Sequence, residues 1–166
     1  VVGSPIANRT QQESEGLIGF LVNTLLLRIQ LTGNPTFGEV LEQVKDVCLG
    51  AYAHQDLPFE KLVEELQPER DSSRNPLFQV MFQLQKNDSQ KLTLPGLEIE
   101  RLPNNGEQAK FDLDLFFVED GEELKGTLEY STDLFADSTI HSMMQHFQTL
   151  VEAVVTRDVN HPSILF

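Results

Sequence analysis

Side chains that could act as acids, bases or nucleophiles are few in this chain and far apart. The candidates are four histidines and one cysteine, namely His54, His141, His146, His161 and Cys48. His141 and His146 are five positions apart, which separates them by about 140° on a helix of ~3.6 residues per turn. They cannot easily share a metal ion, and solvent-facing positions are favoured for both. His161 lies in a tail and is assigned no role.

Cys48 and a pair of aspartates complete the set of reactive candidates. Cys48 lies on the apolar stripe of a predicted helix with no histidine placed to activate it, so a packed core thiol is favoured over a nucleophile. A single cysteine also rules out an internal disulfide and a cysteine metal cluster. Asp112 and Asp114 alternate with apolar residues, so both carboxylates lie on one face of a predicted strand. We interpret them as solvated or loop-bracing rather than as a catalytic pair.

Motifs and composition exclude several classes of function. The chain has no Gly-rich phosphate loop, no Gly-x-Ser-x-Gly sequence and no metal-ligand spacing. Its 166 residues carry a net charge of −14, from 26 acidic and 12 basic side chains. Without a cluster of Lys and Arg it is not expected to bind nucleic acid by counterion release, and an anionic membrane surface is disfavoured. No apolar stretch approaches the ~18 residues of a membrane span, and we expect a cytoplasmic protein.

The elements that must position these residues begin with a long apolar run at residues 17–32. This run predicts a strand buried on both faces, although periodicity alone does not exclude a helix. Thr36 and Glu39 have the spacing of a capping box, and apolar residues follow at helical intervals, which predicts a helix over 36–54. Pro58 suits the first turn of a second helix, where no N–H is required.

The second half of the chain predicts further strands, a hairpin and a final helix. Apolar segments and alternation predict strands at residues 78–85, at 97–102 and from 111 onward. Asp120-Gly121 marks a turn, after which residues 124–131 return as the partner strand. Asp137 is placed to cap a helix that ends near residue 156. The order of elements predicts a mixed α/β fold, a two-layer sandwich in which helices pack on a mixed sheet.

Three blocks of sequence resemble core motifs of the condensation domains of nonribosomal peptide synthetases, in the family's order and at its approximate spacing. Residues 18–28 (Ile-Gly-Phe-Leu-Val-Asn-Thr-Leu-Leu-Leu-Arg) are similar to the fifth motif, with Leu21 where Phe is more usual. Residues 54–60 (His-Gln-Asp-Leu-Pro-Phe-Glu) resemble the sixth, and residues 70–77 (Arg-Asp-Ser-Ser-Arg-Asn-Pro-Leu) resemble the seventh. The resemblance covers essentially the whole chain.

The resemblance implies a fold like chloramphenicol acetyltransferase, in which two related lobes form a V around a substrate tunnel. Residues 1–166 would be the C-terminal lobe, one wall of that tunnel. The family's catalytic His-His-x-x-x-Asp-Gly motif belongs to the N-terminal lobe, and none of the four histidines here is followed by Asp-Gly. We therefore expect no catalytic residue in this chain and no activity of the chain alone. Its apolar ends are typical of a cut through continuing polypeptide, so we expect a piece of a larger enzyme.

The family's reaction also implies partners. A complete domain would join an amine on a downstream carrier to an acyl or peptidyl thioester on an upstream carrier, and the amide would enter an antibiotic or another secondary metabolite. The implied partners are the N-terminal lobe, both carrier domains and the adjacent adenylation domain. The chain itself would bind no cofactor, because the substrates arrive on phosphopantetheine arms.

Polar residues of these blocks and of the opening strand are the candidate site residues. An unpaired buried polar group costs about 1–3 kcal/mol, so Asn23 and Thr24 either brace the end of an apolar strand or contact substrate near the tunnel. Ser4 is a further tunnel candidate, and Arg28 is expected to pair with a carboxylate. The remaining residues are expected to fasten the helix junction that begins at His54 (Asp56 and Glu60) or to organise the loop before a strand (Arg70, Asp71, Arg74 and Asn75).

Two other functions stay open at this point. A degenerate lobe that only docks a carrier domain would be a non-catalytic binding module, and the presence of the histidine motif upstream of Val1 would argue against it. An epimerisation or heterocyclisation domain is a related alternative, which the sixth and seventh blocks disfavour.

Overall fold

The structure, a computed structural model, describes residues 1–69, 74–86, 96–97 and 109–156. In this part of the chain, five strands form one mixed sheet, and the helices lie between and after them. The strands are β1 (Val2–Ile6), β2 (Asn23–Leu27), β3 (Val80–Lys86), β4 (Leu113–Asp120) and β5 (Glu123–Tyr130). The helices are α1 (Gln12–Glu15), α2 (Phe37–Ala53), α3 (Phe59–Leu66) and α4 (Asp137–Thr156). The predicted mixed α/β class is confirmed.

The strand order of the sheet is β2-β1-β3-β4-β5. The inner strands are parallel, β1 with β3 and β3 with β4, and each edge strand is antiparallel to its neighbour. A parallel pair needs a long crossover connection, which β2, α2 and α3 provide between β1 and β3. None of the helices in the described ranges is long and apolar enough to cross a membrane.

The apolar run at residues 17–32 does not form the long buried strand that we predicted. Only Asn23–Leu27 is a strand, and it lies at the edge of the sheet. Leu17 and Phe20 precede it in a loop with 58% and 91% of their surfaces exposed. The prediction was wrong because an apolar run reports hydrophobicity alone, and says nothing about which surface covers it.

Two local signals position α2 and α3 as predicted. The Thr36 hydroxyl accepts a hydrogen bond from the Glu39 backbone N–H at 3.2 Å, and the Glu39 carboxylate accepts from the Thr36 backbone N–H at 2.7 Å. This confirms the capping box and fixes the start of α2. Pro58 is the N-cap of α3, one residue before the helix begins.

The predicted hairpin is confirmed between β4 and β5. Asp120 pairs with Glu123, and Gly121 has a φ of +68° in the connecting turn, a conformation that glycine adopts without steric cost. The predicted strand at 97–102 lies outside the described residues, except for residue 97. Asp137, predicted as a cap, is the first residue of α4, and its carboxylate accepts a hydrogen bond from the Tyr130 hydroxyl at 2.8 Å.

Strand alternation and register divide the sheet into two faces. Ser4, Phe82 and Phe117 share the first, which we call the helix face. Helix α4 packs there, with the ring centroids of Phe117 and Phe147 5.8 Å apart. The groove between α2 and this face has a volume of about 740 Å³.

The opposite face contains Gly3, Met81 and Asp114 in neighbouring strands, and we call it the Asp114 face. Gly3 has little space, because a Cβ atom at this position would lie 2.4 Å from a ring carbon of Phe78. Phe78 in turn contacts the ring of Phe59 from α3, with centroids 5.7 Å apart. The buried apolar side chains of the described residues are Leu25, Phe78, Met81, Phe117 and Ile140.

Candidate functional site

Asn23 is the most extensively bonded of the predicted site residues. Only 8% of its surface is exposed. Its Nδ2 donates to the backbone carbonyls of Gln55 and Leu57 at 2.9 and 2.8 Å. Its Oδ1 accepts from the backbone N–H of Phe59 at 3.0 Å and of Thr24 at 2.9 Å. A carboxamide has two donor hydrogens and two acceptor lone pairs, so its hydrogen-bonding capacity is full.

These bonds join the start of β2 to the connection between α2 and α3. A substrate group could bind the Asn23 carboxamide only by replacing one of these backbone partners, and the geometry therefore favours the bracing alternative. Register places Asn23 and Ser4 on the helix face and Thr24 on the Asp114 face. The structure thus separates the three tunnel candidates, and contact of Thr24 or Ser4 with substrate stays a prediction.

The motif residues around this connection do not hold it through their own side chains. His54, Asp56 and Glu60 are exposed. No hydrogen bond or ion pair involves these side chains among the described residues. The fastening that we predicted for Asp56 and Glu60 is provided by the Asn23 carboxamide.

The third motif is described only from Arg74 onward, and Arg70 and Asp71 lie outside the described residues. Asn75 donates from Nδ2 to the backbone carbonyl of Lys110 at 2.7 Å, which ties the loop before β3 to the segment before β4. Arg74 is exposed. Arg28 is exposed as well, and its pairing with a carboxylate stays a prediction.

The nucleophile and base candidates are not brought together. His141 and His146 are exposed on α4, as predicted, and His161 lies outside the described residues. Cys48 is half-buried on α2 and lines the groove on the helix face. The described ranges contain no group of three or more His, Cys, Asp or Glu side chains that could hold a metal ion.

Asp114 is the functional candidate that the sequence reasoning missed. It is half-buried in β4, and its Oδ1 atom is buried without a hydrogen-bond partner. Burial raises the pKa of this carboxyl above its usual value, and the charge of Glu129 raises it further, whereas Gln83 and Lys110 act in the opposite direction. The solvated interpretation is therefore wrong for Asp114. The available signal was an aspartate between apolar residues on both sides in a predicted strand.

Comparison with known proteins identifies the family. The family model described as "Condensation domain" matches residues 1–162. The chain belongs to the condensation-domain family. A condensation-domain chain of this length is short beside its relatives: it is 52% identical over 158 residues to a linear gramicidin synthase of Brevibacillus parabrevis, a match that covers 93% of this chain and 3% of that protein.

Other matches agree in extent. Malpinin synthetase of Mortierella alpina is 48% identical over 158 residues, which is 95% of this chain and 2% of that protein. Among solved structures, the X-domain from teicoplanin biosynthesis is 28% identical, with a TM-score of 0.86 over 96% of this chain and 37% of that one. The X-domain in complex with OxyB gives a TM-score of 0.81 at 28% identity, over 99% of this chain and 38% of that one. This condensation-domain chain thus spans a small part of the curated synthetases that it matches.

Proposed function

We propose that this chain forms one wall of the substrate tunnel in a condensation domain of a nonribosomal peptide synthetase. The complete domain joins two carrier-bound substrates. The amine of the acceptor attacks the thioester carbonyl of the donor, the C–N bond of the amide forms, and the C–S bond breaks to release the donor carrier's thiol. Residues 1–166 correspond to the C-terminal lobe in this proposal, and the N-terminal lobe completes the tunnel.

The placement of the histidines, together with the family match, carries this proposal. The described histidines lie at the end of α2 or on α4, are exposed, and have no side-chain bond to one another. None of them lies on a described strand. The sheet instead presents polar side chains beside apolar ones on the Asp114 face. Such a surface suits binding and orientation of substrates, which can lower a reaction barrier by several kcal/mol.

The proposed partners follow from the same reaction. They are the N-terminal lobe, the upstream and downstream carrier domains with their phosphopantetheine arms, and the adenylation domain beside them. Two carrier-bound thioesters are the substrates, and this chain holds no cofactor of its own in the proposal. A cytoplasmic site of action would fit an enzyme that works on carrier-bound metabolites.

Reconstitution from separate lobes tests the proposal. The purified chain alone is expected to form no amide from two loaded carriers. Addition of the separately produced N-terminal lobe is expected to restore part of the activity, whereas the same lobe with its first two motif histidines replaced by alanine restores none. Amide formation by the isolated 166 residues would contradict the proposal.

A second candidate function is a non-catalytic module that docks another protein of the assembly. The likeness to the X-domain, which has been solved in complex with OxyB, favours this candidate. The two functions differ in one respect that can be measured. A docking module binds its partner while the complete domain, including the upstream lobe, yields no amide.

A further inference from the structure

We infer that Asp114 is a positioning residue that holds the nitrogen of the acceptor substrate against the Asp114 face of the sheet. The inference rests on the proposed function and deepens it, because it assigns a role in acceptor binding to one side chain of this chain. Nothing in the three sequence motifs includes this residue.

The position of Asp114 in the sheet makes it a candidate binding group. It lies in β4, between β3 and β5, directly beside Met81 on one side and Glu129 on the other. Met81 is buried and Glu129 is exposed, so the carboxyl group stands where the covered part of this face meets its accessible part. A ligand on the face can approach Asp114 from the side of β5.

The hydrogen-bonding state of the carboxyl group points to a missing partner. Oδ1 is buried and accepts no hydrogen bond, although a buried polar atom left unsatisfied normally destabilises a fold. Such atoms in native structures call for a specific explanation, and a ligand-binding role is one of those known. The side chain is only half-buried, so rotation about its terminal torsion can turn either oxygen toward a ligand.

The surroundings favour an N–H donor as this ligand. An ionised carboxylate only accepts hydrogen bonds, and it forms its strongest ones with charged donors such as ammonium groups. The neighbours that act on its charge are Gln83, Glu129 and Lys110, and only Lys110 is cationic. In the proposed reaction the acceptor is the substrate that carries an amine. Asp114 would accept a hydrogen bond from that amine and orient its nitrogen, while the proton is removed by a base outside this chain.

Two nitrogens of an aminoacyl acceptor have this chemistry, the α-amino group and a basic side chain. The test uses the complete condensation domain with a loaded donor carrier and an acceptor carrier loaded with either alanine or lysine. The Asp114→Asn variant is expected to lower kcat/KM for the acceptor carrier about tenfold, as the loss of one charge-assisted hydrogen bond predicts. The same ratio for the donor carrier is expected to stay unchanged.

The pattern of loss identifies the nitrogen. An equal loss with both acceptors assigns Asp114 to the α-amino group, and a loss with lysine alone assigns it to a basic side chain. Glu119→Gln is the matched control, because Glu119 is an exposed carboxylate on the same strand and is expected to leave both ratios unchanged. Asp114→Glu, which keeps the carboxylate, is expected to recover part of the activity.

Stability measurements separate positioning from a structural role. Removal of a carboxylate that burial penalises is expected to stabilise the fold at neutral pH, so Asp114→Asn should be at least as stable as the parent while using the acceptor less well. An unchanged acceptor kcat/KM, or an equal loss for donor and acceptor, would overturn the inference. If the unaltered domain forms no amide with either acceptor, the proposed function itself fails, which is a different result.

Discussion

The Oδ1 atom of Asn23 accepts a hydrogen bond from the backbone N–H of Phe59 at 3.0 Å, across 36 positions of sequence. Phe59 is the first residue of α3, where backbone N–H groups have no partner within the helix. Pro58 precedes it and has a side chain that cannot accept a hydrogen bond. The edge strand thus provides from a distance the capping group that α3 lacks locally.

This relationship predicts a large effect of Asn23→Ala on stability. The substitution leaves the carbonyls of Gln55 and Leu57 and the N–H of Phe59 without their partner. The free energy of unfolding, measured with urea, is expected to fall by about 2–3 kcal/mol, since unsatisfied buried groups cost about 1–3 kcal/mol each and water can reach some of them. Gln85→Ala, at an exposed strand position, is the control and should change it by less than about 0.5 kcal/mol. An equal effect of both substitutions would contradict the bracing role of Asn23.

Two glycines of this chain are predicted to respond to alanine in opposite directions. Gly3→Ala would place a Cβ 2.4 Å from the Phe78 ring, and overpacking of this kind costs about 1–3 kcal/mol. Gly50 lies within α2, where a Cβ would meet nothing within 4 Å, so Gly50→Ala is expected to stabilise the chain by about 0.5–1 kcal/mol. Thermal unfolding of the two variants checks the difference in sign. A stable Gly3→Ala variant would show that the Phe78 ring moves freely.

Asp114 predicts a pH dependence of stability with a definite sign. Its pKa in the fold lies above the ordinary value of 3.8, because burial and then Glu129 outweigh Gln83 and Lys110. The folded chain therefore binds this proton more tightly than the unfolded chain. Stability from this group is fully present below pH 3.8 and is lost as pH rises through the folded pKa.

The Asp114→Asn variant removes this titration. It is expected to exceed the parent chain in stability at pH 7 by less than about 1 kcal/mol, because the group is half-exposed and solvent screens its charge. The difference should shrink as pH falls toward 4. Urea unfolding at a series of pH values measures it, and a gain that does not depend on pH would argue against a raised pKa at Asp114.

The capping box predicts a smaller and more local effect. Thr36→Ala removes the hydroxyl that accepts the Glu39 N–H, and loss of such a cap costs about 1 kcal/mol. Thr36→Ser keeps the hydroxyl and should retain most of the stability. Guanidinium unfolding of the three chains checks this order, and equal stability of the Ala and Ser variants would contradict it.

The sequence predicted those features that depend on neighbouring residues. Thr36 with Glu39, and Asp120 with Gly121, determine a helix start and a turn through contacts within a few positions, so their signals survive without knowledge of the fold. The mixed α/β class followed from the order of such elements.

Features that depend on distant contacts were not predicted. The exposed loop with Leu17 and Phe20 looked like a buried strand, because hydrophobicity does not specify a partner surface. Bonds from Asn23 join β2 to a connection more than 30 residues later, which no spacing rule reveals. Alternation placed Asp114 on a face but gave no information about Met81 and Glu129, the neighbours that determine its burial and charge.

Single-turnover amide formation tests the central claim most directly. One carrier is loaded with a donor thioester and another with an aminoacyl thioester, and the mass of the acceptor carrier is followed after the addition of protein. The complete condensation domain is expected to add the mass of the donor acyl group to the acceptor carrier, and the isolated chain of residues 1–166 is expected to leave both carriers unchanged. Transfer by the isolated chain would show that it contains its own catalytic group and would contradict the claim that it is one wall of a shared tunnel.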